Sequence, residues 1–119
     1  MGRLTTHVLD TANGRPAAGL AVRLSRRDPV SGRYDPVREI VTNADGRGDG
    51  PLVEGPDFVA ARYELVFAVG AYFAGLGLAL PDPPFLDEVP VRFAIADAAV
   101  HYHVPLLVSP WSYTTYRGS

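Results

Sequence analysis

His7, His101 and His103 are the only imidazoles in this chain, and imidazole is the side chain best suited to moving protons near neutral pH. His101 and His103 stand one residue apart. In an extended strand that spacing sends both rings to one face, while Tyr102, Val104 and Leu106 turn to the other, which reads as core. The pair fits two outcomes: polar residues on a solvated sheet face, or a His-X-His element of the kind that ligates metals. His7 lies between Thr6 and Val8, where a surface or hydrogen-bonded histidine is the ordinary outcome. Arg47 sits in Asp45-Gly46-Arg47-Gly48, where flanking glycines let the backbone bend sharply and keep the guanidinium approachable. A loop arginine of this kind is ordinarily just solvated. The same loop lacks the ligand series and closing glutamate of a calcium-binding loop. The run Trp111-Ser112-Tyr113-Thr114-Thr115-Tyr116 suits a strand, and Arg117-Gly118-Ser119 follows it. A tail held by that strand would bring an arginine, a hydroxyl and a carboxylate to one spot.

Short runs of strand type separated by turn signals must position these groups. Leu4–Asp10 alternates loosely and ends at the turn dipeptide Asn13-Gly14. Leu20–Arg26 alternates cleanly, with Leu20, Val22 and Leu24 facing inward. Tyr34–Thr42 reads as a strand whose Pro36 favours a sheet edge. Asn43–Gly50 holds three glycines in eight residues and is expected to be a loop. Ala61–Val69, Val89–Ile95, Val100–Val108 and Trp111–Arg117 complete the set of strands. Ala71–Leu76, between Gly70 and a proline-rich loop, predicts one or two helical turns. Seven or eight strands at this spacing predict an all-β sandwich.

Composition narrows the function classes. A chain of 119 residues suits one domain, residues 1–119, and hydrophobic residues at 47% support a packed core. A formal net charge of −2 argues against nucleic acid as the main partner. The absence of cysteine removes thiol chemistry and disulfides. No run resembles a signal peptide or a membrane span, so no membrane partner is expected and the cytoplasm is the expected location. Nothing in the chain matches a nucleophile elbow, a P-loop or a dinucleotide fingerprint.

Three separated segments together resemble one family. Leu4-Thr5-Thr6-His7-Val8-Leu9-Asp10 with Gly14-Arg15-Pro16-Ala17, the loop Thr42–Arg47, and His101–Leu107 running through Ser109-Pro110 to Tyr116-Arg117-Gly118-Ser119 are similar to the signature blocks of 5-hydroxyisourate hydrolases. These are the transthyretin-related enzymes of purine catabolism. The resemblance implies a transthyretin-like sandwich of two four-stranded sheets with one short helix. It implies a homotetramer, a dimer of dimers, with active sites at the dimer–dimer interface. The implied reaction is ring opening of 5-hydroxyisourate to 2-oxo-4-hydroxy-4-carboxy-5-ureidoimidazoline. His7, Arg47, His103 and Ser119 would be catalytic, and His101, Tyr116, Arg117 and Gly118 would bind substrate.

That hydrolysis needs an activated water, a stabilised oxyanion and a proton for the leaving nitrogen. His7 and His103 suit the proton transfers, without indicating which is the base. Arg47 and Arg117 offer planar donor forks. Ser119 could orient water or a histidine. No cofactor or metal is called for, although zinc captured by the histidines would displace the water. The competing readings are a non-catalytic binding module of the same fold, a zinc hydrolase using the three histidines, and a structural sandwich.

Overall fold

Alternation along the first strand decides which side of the molecule can hold chemistry. In β1 (Arg3–Asp10), Leu4, Thr6, Val8 and Asp10 are buried, while Thr5, His7 and Leu9 face outward and are half-covered. The computed structural model describes residues 1–119. Its further elements are β2 (Arg15–Pro16), β3 (Ala21–Arg27), β4 (Tyr34–Val41), β5 (Val53–Glu54), β6 (Ala61–Ala68), α1 (Val69–Gly75), β7 (Glu88–Ile95), β8 (Tyr102–Val108) and β9 (Tyr113–Thr115). They form two sheets. One runs β2-β1-β8-β9 with β5 added beside β1, and the other runs β4-β3-β6-β7.

Between the sheets lies one core. Leu4, Val8, Val104 and Leu106 of the first sheet meet Leu24, Tyr63, Leu65, Phe67 and Val91 of the second. Each such large side chain, once fully buried, contributes roughly 1.5–3 kcal/mol. Helix α1 follows β6 directly, and its Val69, Tyr72 and Phe73 are buried. No helix is long and apolar enough to cross a membrane.

The all-β sandwich with one short helix is as expected, but the first sheet has five strands rather than four. The additions are two-residue strands, β2 and β5, which pair antiparallel with the two ends of β1. The expected edge position of the proline-bearing strand holds: β4 is an outer strand, and its pairing with β3 slips between Leu24 and Ser25 beside Pro36. The helix starts two residues earlier than its apolar run implies, because the Gly70 N–H is held by the Asp87 carbonyl. The last strand is shorter than Trp111–Arg117. At its start, the Ser109 hydroxyl accepts the N–H groups of Trp111 and Ser112 and winds them into a turn.

At the other end of β9 the cause is Pro105, a proline inside an interior strand. The carbonyls of His103 and Pro105 both face β9: one accepts the Gly118 N–H at 2.7 Å, the other the Thr115 hydroxyl at 2.8 Å. Pro105 has no N–H to return. Regular pairing therefore lapses after Thr115 and resumes as a single bridge between His103 and Gly118. The tail stays in register with β8 across the gap.

Candidate functional site

β1 and β8 run parallel with Thr5 opposite His103 and His7 opposite Pro105. His7 and His103 thus project from adjacent central strands on the same outer face. Arg47 reaches that face from the Asn43–Gly50 loop, which folds down onto β1 until Arg47 forms a bridge with His7. The Asn43 side-chain carbonyl accepts the N–H groups of both Asp45 and Arg47 and closes the loop. Gly46 makes the descent possible. Its φ is +75°, and its carbonyl accepts the Val8 N–H at 2.8 Å. A Cβ at Gly46 would come within 2.4 Å of the Val8 carbonyl oxygen, so no other residue fits there.

Beside these groups opens a cavity of about 520 Å³ whose wall includes Arg3, Thr5, Arg47, His101, His103 and Ser119. Only two of its twelve lining residues are hydrophobic, which suits a small polar molecule better than an apolar one. Burial, and then the Arg47 guanidinium, hold both the His7 and His103 imidazoles below their usual pKa, with His7 adding to the effect on His103. Both rings are therefore neutral at physiological pH and can accept protons. A cation within reach of two neutral imidazoles is also placed to receive developing negative charge.

The expected site residues divide into two groups. His101, Arg47, His103 and Ser119 line one cavity, and His7 shares their face beside it. His101 precedes β8 rather than lying within it, because Ala99 and Val100 turn back onto Asp97. Tyr102, Val104 and Leu106 are buried, as their alternation implies. The four tail residues do not share one destination. An extended tail sends alternate side chains to opposite faces. Gly118 sits against the His103 ring, where a Cβ would meet Cδ2 at 2.7 Å. Arg117 turns to the other side, with its guanidinium 4.1 Å from the centre of the Tyr102 ring. Tyr116 is 57% exposed and lies outside the cavity wall. Within one chain, Ser119 is the tail residue that lines the cavity, and Tyr116 and Arg117 lie outside its wall.

Among the wall residues that the sequence reading did not assign to the site are two from the outer face of β1. Thr5 holds His103 through a hydrogen bond of 2.8 Å between Oγ1 and Nδ1, and Arg3, two residues earlier, also lines the cavity. The signal was present: Arg3, Thr5 and His7 alternate on one face of one strand.

Residues 4–118 match the model of the HIUase/Transthyretin family. A 5-hydroxyisourate hydrolase of Ralstonia nicotianae is 58% identical over 119 residues, covering the whole of both chains. Among solved structures, an (S)-allantoin synthase superposes with a TM-score of 0.92 at 50% identity, over 99% of this chain but 44% of that longer one. Sea bream transthyretin, solved with thyroxine, superposes with a TM-score of 0.86 at 30% identity, over 98% of this chain and 94% of its own. The chain thus belongs to the HIUase/transthyretin family and is closer in sequence to its hydrolases than to that hormone-binding relative.

Proposed function

We propose that this chain is a single hydrolase domain, residues 1–119, that opens the ring of 5-hydroxyisourate to 2-oxo-4-hydroxy-4-carboxy-5-ureidoimidazoline in urate degradation. The observation that carries this reading is the meeting of His7, His103 and Arg47 on one face, beside a polar cavity shared with His101 and Ser119. A neutral imidazole takes a proton from water as the water oxygen attacks a ring carbonyl carbon. The carbonyl oxygen gains negative charge, which Arg47 is placed to stabilise. The carbon–nitrogen bond then breaks, and an imidazolium returns the proton to the departing nitrogen. His7 and His103 form the proton-transfer pair, and His101 and Ser119 hold the substrate and water. Tyr116, Arg117 and Gly118 serve by seating the tail, Arg117 against Tyr102 and Gly118 against His103, so that Ser119 enters the cavity wall.

The reaction as written uses no cofactor or metal. The open edges of the sheets and the solvent-facing site suit the assembly common in such folds, a homotetramer of two dimers acting in the cytoplasm. Light scattering should then give about four times 12.8 kDa. The decisive assay mixes the protein with urate and urate oxidase and follows hydroxyisourate absorbance. Accelerated decay supports the proposal, and an unchanged decay rate refutes it.

A further inference from the structure

The His103 ring is gripped on both edges. Along one edge, Nδ1 lies 2.8 Å from the Thr5 hydroxyl, its cross-strand neighbour. Along the other, Cδ2 packs against Gly118, which leaves no space for a Cβ. The ring makes no other hydrogen bond within the chain, so the free position is Nε2. Thr5 and His103 both line the cavity. The neighbouring Thr6 has no comparable role, because it points inward and donates to the Val104 carbonyl at 2.7 Å.

We infer that Thr5 is a positioning residue for the reaction: its hydroxyl accepts Nδ1–H of His103 and so reserves Nε2 for proton exchange in the cavity. The inference rests on the hydrolytic reading above and follows from proton counting. As a base, His103 needs a bare Nε2, and a neutral ring must then carry its hydrogen on Nδ1. As an acid, it is an imidazolium protonated on both nitrogens. Both working states therefore carry Nδ1–H, and both need an acceptor there. During turnover a water proton moves to Nε2 and then from Nε2 to the leaving nitrogen, while Nδ1–H stays on Thr5. If the hydroxyl donated instead, Nε2 would carry the hydrogen, and the neutral ring could not accept a proton from water. A base oriented by a third group is a recurring arrangement in hydrolases. Here that group is a neutral hydroxyl, which leaves the ring no more basic than its burial and Arg47 make it.

The test uses Thr5→Val, which keeps the shape and strand preference of threonine but loses the hydroxyl, and Thr5→Ser, which restores it. Thr5→Val should lower kcat about tenfold, the value of one hydrogen bond expressed as rate, with KM little changed. Thr5→Ser should recover most of the loss. Nitrogen NMR of the ring in the free protein, above its titration, should show hydrogen on Nδ1 in the wild type. In Thr5→Val it should shift toward Nε2–H, the form that free histidine favours in water. Wild-type turnover by Thr5→Val, or an Nε2–H ring in the wild-type protein, would overturn the inference. A wild-type protein that leaves hydroxyisourate untouched sinks the hydrolytic reading, whereas the ring spectrum, recorded without substrate, judges Thr5 separately.

Discussion

The outer faces of the two sheets carry similar polar alternation but differ in what covers them. On the four-stranded sheet, Arg92 of β7 lies opposite Glu64 of β6, with Nε 3.0 Å from Oε2, and also stacks 4.5 Å over the Tyr34 ring. Arg23 of β3 lies opposite Glu39 of β4. Arg92 finds its partner across the strands and remains largely open to water, the ordinary fate of a charge on a polar sheet face. On the five-stranded sheet, the Asn43–Gly50 loop and the tail descend onto β1 and β8. There burial, and then the Arg47 guanidinium, hold two imidazoles below their usual pKa. Polar alternation is common to both faces; partial cover by the Arg47 loop and the tail distinguishes the site.

Removing the imidazoles of the covered face should separate the two faces most sharply. His103→Ala and His7→Ala should each lower kcat by about 10²- to 10⁴-fold, the range for losing a general acid or base. Their melting curves should remain cooperative. Near-native turnover by both variants would place the chemistry elsewhere. Deleting Tyr116 to Ser119 strips the cover while leaving every histidine, and should cost ~10²–10³ in rate if a preorganised site is lost. The thermal melt should fall only modestly, since the tail carries one cation–π contact and one bridge. A truncated protein with full activity would make the cover irrelevant.

A smaller effect should emerge with pH. Both histidine pKa values lie below 6.5 in the folded chain. The unfolded chain therefore binds more protons as pH falls through that region, so these groups favour the folded state above pH 6.5 and lose that contribution below it. The rate should follow the same direction, with kcat/KM flat at neutral pH and falling only on the acid side of 6.5. A rate already declining at pH 7 would contradict the lowered values. The smallest effect belongs to the open face. Arg92→Ala should break the Glu64 pair and leave hydroxyisourate decay at the wild-type rate.

Much of this arrangement could be read from residue order. The long strands follow their alternation, and Pro36 marks an outer strand. The pairing of His7 with His103 and the approach of Arg47 were reached through resemblance, because no periodicity records that β1 and β8 are neighbours. Strands of two residues, β2 and β5, are too short to carry a pattern. The tail was read as one cluster, but its alternation sends Arg117 to Tyr102 and Gly118 to His103. Thr5 was passed over because a threonine in a strand needs no explanation until its hydroxyl is found at an imidazole nitrogen.

The parallel pairing of β1 with β8 also has a consequence in time. The Thr5 hydroxyl and the His103 ring are separated by 98 positions in the chain. During synthesis β1 leaves the ribosome long before β8 exists; β2, the Arg47 loop and β5 can meet it early, but Thr5 has no imidazole to hold until His103 follows. Contacts so distant in sequence form late, because the loop they close is nearly the whole molecule. The β3–β4 and β6–β7 pairs join strands much closer in sequence and can form first. The proton-handling face is thus the last part of the molecule to be assembled. A nascent chain stalled before β8 should contain a partly formed second sheet and no functional site.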